Sequence, residues 1–157
     1  EKAPADPREA AELYNRVWDL AIRAAIANGG TLWKPCILKS VRGVSGTVIQ
    51  ETAPEANGKL AASPRTLALI REGMHRAVNA PGGGAKQARN SRIELSGKTG
   101  TAEVGSGENR YKNTWFTGFG TDAKTGKTYA ITVMVMHGVG GGKTAAPLAA
   151  RFFENWL

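Results

Sequence analysis

The tripeptide Gly-Lys-Thr occurs three times in this sequence, at residues 97–99, 126–128 and 142–144. A glycine followed by a lysine and a hydroxyl residue is typical of loops whose backbone N–H groups wrap a phosphate. Such a loop needs another glycine five residues earlier, and those positions hold Arg92, Thr121 and His137. The spacing therefore argues against phosphate binding at all three sites.

The second and third copies are predicted to be ordinary glycine turns at strand ends. The first copy lies inside a strand-like run, where a glycine often marks close approach by a ligand backbone. Lys98 would supply a positive charge, Thr99 a hydroxyl donor and Gly100 an open face. Together they suit an extended ligand that carries a carboxylate. An edge strand protected by a charge explains the same residues, so this alternative stays open.

Other reactive residue types give weaker signals. His75 is predicted to be solvent-exposed on a helix, and His137 to have a structural role at a strand end. Glu103 fits either the rim of a site or an ordinary exposed acid. Cys36 is the only cysteine, which excludes an internal disulfide and a Cys-x-x-Cys site. The two histidines lie far apart without suitably spaced acids, so we predict no metal and no cofactor.

The composition is that of one folded domain, with 157 residues, 41% apolar and 22% charged. The net charge of +8 permits an anionic partner such as nucleic acid, an acidic lipid surface or an acidic cell-wall polymer. The basic residues are scattered and aromatics amount to only 7%, so we predict no nucleic-acid binding. No apolar run is long enough to span a membrane. The chain does not begin with methionine, and we expect it to be a piece of a longer protein.

The first part of the chain predicts a helix, a hairpin and a second helix. The first helix begins at Asp6 and ends at 28–30, where two glycines follow an asparagine. The strands Cys36–Val41 and Gly46–Gln50 form the hairpin. Residues 52–60 are predicted to be a polar loop. The second helix opens at Ser63-Pro64 and stops at 81–84; its apolar face comprises Leu67, Ile70, Met74 and Ala77.

The last part predicts three consecutive strands and a final helix. The strands are Ile93–Ala102, Thr114–Thr121 and Thr128–His137, and the third is apolar on both faces, which predicts a central, covered position. The helix begins at Pro147 and is expected to turn four side chains to the core: Leu148, Phe152, Phe153 and Trp156. Short connections between the strands predict an α+β fold, in which helices cover an antiparallel sheet.

Residues 98–103, with the sequence KTGTAE, resemble the third active-site motif of penicillin-binding transpeptidases and serine β-lactamases. Residues 113–119 resemble the following strand of class B penicillin-binding proteins, and residues 140–147 the segment that leads into their last helix. Two earlier stretches, 25–35 and 71–78, extend the likeness to roughly residues 20–157, and the penicillin-binding protein 2-like subgroup is the most similar. Residues 1–19 have no counterpart.

This resemblance implies an α/β/α sandwich around a five-stranded antiparallel sheet, with residues 1–157 as its C-terminal part. It also implies a peptidoglycan D,D-transpeptidase that cross-links the cell wall. By this resemblance Lys98 orients the proton network of the nucleophile. Thr99 binds the carboxylate of a D-Ala-D-Ala stem peptide or of a β-lactam, and Gly100 lets the substrate lie close. The backbone N–H of Thr101 is one of two oxyanion-hole donors.

The family also requires the motifs S-x-x-K and S-x-N, and neither is present. None of the six serines has lysine three residues later or asparagine two residues later, and Ser96 is interpreted as a strand residue. We therefore expect the nucleophile to lie outside this chain, in the missing N-terminal part of the domain. The chain alone should not react with penicillin. The resemblance further implies a membrane-anchored parent protein at the extracytoplasmic, or periplasmic, face of the cell membrane.

Three explanations of the missing serine remain open. The chain is half of a clipped or split domain, an artificially shortened chain, or a non-catalytic relative that serves for interaction. The complete KTGTAE stretch favours a fragment of an enzyme. A serine β-lactamase-like protein is a further alternative, which the transpeptidase-like features at 28–30 and 145–147 disfavour.

Overall fold

The computed structural model describes residues 20–22 and 24–156. These form two compact units, one ending at Ala61 and the other beginning at Ala62, and each is described by itself. No helix within the described residues is long and apolar enough to cross a bilayer.

The first unit opens with the end of a helix, α1, whose described residues are 20–22 and 24–27. The predicted stop signal is confirmed, since Gly29 and Gly30 take φ values of 90° and 107°, which favour glycine. The Asn28 side chain bridges the exit, because its amide donates to the Thr31 carbonyl at 2.9 Å and its oxygen accepts from the Thr31 N–H at 2.9 Å. The predicted helix start at Asp6 lies outside the described residues.

Two small antiparallel ladders complete the first unit. Strands β2 (Ser40–Arg42) and β3 (Val48–Glu51) form the predicted hairpin, although both are shorter than expected. Strand β1 (Thr31–Trp33) pairs with β4 (Ala56–Lys59), so the prediction of a loop over residues 52–60 was wrong. β4 reads Ala-Asn-Gly-Lys and is exposed throughout, so it carries no apolar alternation that the sequence could reveal.

The second unit begins with helix α2 (Pro64–Asn79), and both of its ends follow the predicted signals. Ser63 is the N-cap, and its hydroxyl accepts from the Thr66 N–H at 3.1 Å. At the other end the Arg89 guanidinium donates to three carbonyls of the last turn, those of Val78, Asn79 and Ala80. These bonds satisfy acceptors that a helix end leaves open.

The buried face of α2 differs from the predicted one at three positions. Leu67 and Met74 are buried as expected, but the third buried residue is Val78. Ile70 is 39% exposed and Ala77 only half-buried. Several apolar residues lie around this helix, so its sequence alone does not determine which stripe meets the core.

A three-stranded antiparallel sheet with the order β5-β6-β7 forms the centre of the second unit. Its strands are β5 (Ile93–Val104), β6 (Tyr111–Asp122) and β7 (Thr128–Val135). The expectation that the third run is central was wrong for the described sheet, because β6 lies in the middle and β7 is half-buried. The sheet and its helices confirm the predicted α+β class.

The turn from β6 to β7 is held by one carboxylate. Asp122 accepts from the Thr125 hydroxyl at 2.6 Å and from the Lys124 N–H at 2.9 Å. These two bonds, the Thr125 one first, lower the pKa of Asp122 below its ordinary value of 3.8, because they favour the ionised form. Gly126 closes the turn with a φ of 68°.

Helix α3 (Ala145–Trp156) covers one face of the sheet and begins two residues earlier than predicted. Of the four side chains expected in the core, only Phe153 is buried; Leu148, Phe152 and Trp156 are 41%, 49% and 54% exposed. The buried face instead consists mainly of alanines, at positions 145, 146, 149 and 150. Small side chains let the helix approach the core residues Ile93, Leu95 and Phe116 closely.

Candidate active site

The residues Lys98, Thr99, Gly100 and Thr101, here called the KTGT wall, lie in the middle of β5. On one side this stretch pairs with β6, with Lys98 opposite Thr117 and Thr101 opposite Thr114. Among the described residues no strand pairs with its other side. The wall therefore presents a free strand edge to whatever lies beside it.

Exposure changes sharply where the wall begins. Ser96 and Gly97 are buried, Lys98 and Thr101 are exposed, and Thr99 and Gly100 are half-buried. Ser96 is thus a strand residue beneath the surface, as predicted. The Lys98 ammonium donates to the Thr99 carbonyl at 2.5 Å, and within the described residues it forms no ion pair. It therefore keeps its charge and further donors for a ligand.

The two glycines of the motif meet very different surroundings. A Cβ atom at Gly97 would come within 2.4 Å of the buried Phe116 ring, so the core itself requires glycine there. A Cβ atom at Gly100 would lie 3.6 Å from the Trp115 Cβ atom, an ordinary contact. The protein's own packing does not explain Gly100, whereas a ligand lying on this strand would.

The segment 138–144, here called the glycine loop, faces the KTGT wall. Its Gly141 N–H donates to the Thr101 hydroxyl at 3.2 Å. The loop is also bonded within itself, since the Thr144 N–H donates to the Gly140 carbonyl at 2.8 Å and the Val139 N–H to the Thr144 hydroxyl at 3.1 Å. The prediction that this copy of Gly-Lys-Thr is a turn holds, but its place beside the wall was not foreseen.

The wall and the loop enclose an open groove of about 610 Å³. Lys143 belongs to the loop, and Gly84 and Gln87, which follow α2, complete the lining. None of the lining residues is acidic, and Lys143, like Lys98, forms no ion pair within the described part of the chain. The groove is therefore suited to an anionic ligand. The glycine run before α3 was a usable signal for this lining, whereas nothing in the sequence pointed to Gln87.

The remaining candidate residues lie outside this groove. His75 is not simply solvated, because its Nε2 atom lies 3.0 Å from a Glu94 carboxylate oxygen. His137 stacks on Tyr111 with ring centroids 4.2 Å apart and has a φ of 56°. Glu103 is exposed and pairs with Arg110. Cys36 is free and exposed, and no group of possible metal ligands occurs among residues 20–22 and 24–156.

The second copy of the tripeptide, at 126–128, has no part in the groove. It forms the end of the β6–β7 turn and the first residue of β7, as predicted. The three copies are therefore equal in sequence and differ only in what the fold places around them.

Comparison with known proteins gives one family and several similar structures. Residues 19–154 match the family model described as the penicillin binding protein transpeptidase domain. A search of curated proteins finds no match. PBPA from Mycobacterium tuberculosis is similar at 27% identity with a TM-score of 0.69, covering 87% of this chain and 30% of that chain. The D,D-transpeptidase domain of a peptidoglycan glycosyltransferase from Eggerthella lenta is similar at 25% identity with a TM-score of 0.65, covering 88% and 32%.

Penicillin-binding protein 2B from Streptococcus pneumoniae supports the fold alone, at 23% identity and a TM-score of 0.64, with 84% of this chain and 22% of that chain covered. The mycobacterial PBPA also matches in acyl-enzyme complexes with ceftriaxone and imipenem, at 28% and 27% identity and a TM-score of 0.66 in both. Those matches cover 87% of this chain and 31% and 30% of the PBPA chains, so this chain spans less than a third of their length. The family match extends over most of the sequence and includes the KTGT wall and the glycine loop, and on this ground the chain belongs to the penicillin-binding protein transpeptidase domain family.

Proposed function

We propose that this chain is the C-terminal part of a peptidoglycan D,D-transpeptidase and supplies the KTGT wall of its serine acyl-transfer site. One observation carries the proposal: Gly100, which the protein's own packing does not require, lies between two hydroxyl residues on a strand edge near Lys98. Among the residues that the structure describes, no strand pairs with that edge and Lys98 has no ionic partner. A strand edge of this kind suits an extended peptide that ends in a carboxylate.

The ligand carboxylate would lie against Lys98 and Thr99. A carboxylate accepts strong hydrogen bonds from an ammonium and a hydroxyl, and charge-assisted bonds are roughly twice as strong as neutral ones. The Thr99 hydroxyl has no hydrogen-bond partner among the described residues, so it is free to donate. The absence of acids from the groove lining spares the bound anion from repulsion.

The substrates are a peptidoglycan stem peptide that ends in D-Ala-D-Ala and, in its place, a β-lactam. A serine oxygen attacks the carbonyl of the penultimate D-Ala, so an ester bond forms and the peptide bond to the last D-Ala breaks. The serine proton passes to the departing amine, and the Lys98 charge orients that proton network. An amine from a neighbouring peptidoglycan strand then attacks the ester, which forms the new cross-link and returns the serine. The Thr101 N–H stabilises the oxyanion in both steps.

The nucleophilic serine comes from an S-x-x-K segment outside these 157 residues, since no serine here has the required neighbours. The acyl-enzyme complexes of the mycobacterial relative support the assignment of β-lactams as ligands. We further propose that the intact protein is anchored in the cell membrane and works on its extracytoplasmic face, where peptidoglycan is assembled.

Fluorescent penicillin labelling of the intact protein tests the proposal. We expect covalent label on a serine of an S-x-x-K segment and none on the present chain alone. Lys98→Ala removes a charge-assisted bond worth about 1.5–3 kcal/mol, so labelling should become roughly 10- to 150-fold slower. Lys127→Ala is the matched control, because it removes the lysine of the same tripeptide in the β6–β7 turn and should leave labelling unchanged.

Two results would contradict the proposal. An intact protein that takes up no label would point to a non-catalytic interaction domain on this fold. Rapid release of the label as hydrolysed penicillin would point to a β-lactamase-like protein instead.

A further inference from the structure

We propose that Gly141 is a positioning residue, which holds the Gly100-Thr101 peptide of β5 in the geometry that oxyanion stabilisation requires. The inference rests on the proposed function. It concerns a residue of the glycine loop that would not touch the reacting atoms itself.

The first support is the close packing of Gly141 against the wall. A Cβ atom at this position would lie 2.6 Å from the Gly100 carbonyl oxygen, 2.6 Å from the Trp115 carbonyl oxygen and 3.0 Å from the Gly100 nitrogen. Gly141 thus lies directly against the backbone of β5 and β6, where Gly100 pairs with Trp115. Its φ is not in the left-handed region, so this contact, and not backbone conformation, requires glycine.

The second support is the hydrogen bond from the Gly141 N–H to the Thr101 hydroxyl at 3.2 Å. Thr101 is exposed and lies on the strand edge that has no other described strand beside it. Pairing with β6 restrains the wall from one side, and the Gly141 bond restrains it from the loop side. The Thr101 hydroxyl therefore holds the wall to the glycine loop, whereas the Thr101 backbone N–H would stabilise the oxyanion.

The third support is that Gly141 is itself firmly held. Its carbonyl accepts from the Ala145 and Ala146 N–H groups at 3.1 and 2.9 Å, and both alanines are fully buried in the core. A neighbouring contact fixes the other flank, because a Cβ atom at Gly142 would come within 2.6 Å of the Gly84 carbonyl oxygen. The start of α3 is thereby connected to the wall through a single residue.

Displacement of the wall should slow the chemical step more than it weakens binding. Oxyanion donors act only when they point at the place where negative charge develops. A misplacement of about 1 Å can cost about a hundredfold in rate. Gly141→Ala must shift the Gly100 carbonyl by a comparable distance to relieve the 2.6 Å contact.

The experiment measures acylation of the intact protein by penicillin, with the rate constant of the covalent step separated from the dissociation constant of the preceding complex. We expect Gly141→Ala to reduce the rate constant by about a hundredfold, with a much smaller change in the dissociation constant, because Lys98 and Thr99 are untouched. Thr101→Val removes the accepting hydroxyl and should slow the same step, whereas Thr101→Ser retains it and should restore most of the rate.

Gly120→Ala is the control for damage to the sheet in general. Its Cβ atom would lie 2.9 Å from the Glu94 carbonyl oxygen, on the same strand pair but far from the wall. It should lower stability and leave acylation per folded molecule unchanged. An unreactive wild-type protein would refute the proposed function, not this inference. If the wild type reacts, either of two results would refute the inference. In the first, Gly141→Ala and Thr101→Val react at the wild-type rate. In the second, Gly120→Ala is slowed as much as Gly141→Ala.

Discussion

Gly97 and Gly100 lie three residues apart in one motif, and the structure predicts opposite effects of the same substitution on stability. In Gly97→Ala the new methyl group would start 2.4 Å from the Phe116 Cζ atom and 2.9 Å from the Thr117 carbonyl oxygen. Carbon atoms in contact are separated by about 3.5–4.0 Å, so a ring that is fully buried must move by roughly 1 Å. Overpacking of this kind costs about 1–3 kcal/mol of unfolding free energy.

In Gly100→Ala the methyl group meets only Trp115, at 3.6 Å. Replacing a strand glycine reduces the conformational entropy of the unfolded chain, which stabilises the fold by about 0.4–1 kcal/mol. The same methyl group would crowd the ligand on the open face. If that crowding costs as much as overpacking in a core, about 1–3 kcal/mol, then penicillin acylation should fall by roughly 5- to 150-fold.

Denaturant unfolding and acylation kinetics, measured side by side on the intact protein, separate the two glycines. Gly97→Ala should lose stability and keep its acylation rate per folded molecule. Gly100→Ala should be slightly more stable than the wild type and lose acylation. The reasoning is refuted if Gly100→Ala is as unstable as Gly97→Ala, or if Gly100→Ala is acylated at the wild-type rate.

Two further predictions concern the packing of α3 and the β6–β7 turn. Phe153→Ala should lower the free energy of unfolding by about 3–5 kcal/mol in chemical denaturation, because the ring is buried. Phe152→Ala should lower it much less, because that residue is 49% exposed. Equal losses would contradict the assigned helix face. The hydrogen bonds from Thr125 and Lys124 lower the pKa of folded Asp122. At pH values above the ordinary pKa of 3.8, the ionised carboxylate therefore stabilises the fold. This contribution disappears as the pH falls through the lower folded pKa. Urea unfolding across this acidic range should show a steeper loss for wild type than for Asp122→Asn, and parallel curves would contradict the assignment.

The local sequence predicted those helices that begin or end at a clear capping, proline or glycine signal. Ser63-Pro64 begins α2, and the two glycines after Asn28 end α1, because capping and left-handed backbone depend on neighbouring residues alone. The three strands of the second unit were likewise predictable from apolar runs separated by a short turn. Exposed β4 carried no such signal, because its pairing with β1 depends on backbone hydrogen bonds and not on buried side chains.

The candidate site was likewise predictable only where its features depend on residues close together in the sequence. The Lys-Thr-Gly-Thr order and its neighbouring segments were enough to select Lys98–Thr101 as candidates, and the lack of a glycine five residues upstream was enough to reject phosphate binding. Both conclusions depend on residue types and their spacing along the chain. The Gly141 contact with Thr101 joins residues 40 positions apart, and no local rule relates them. The second lysine of the groove, Lys143, was likewise set aside as part of a turn.

The sequence by itself indicated the family, the residue types of the wall and the absence of a suitable serine within these residues. The tertiary structure alone decided which two of the three identical tripeptides line a groove, which of two nearby glycines the core requires, and which loop hydrogen-bonds to the wall. The physical reason is that residue types and spacing specify functional groups, whereas packing against β6, α3 and the glycine loop determines what each group can touch.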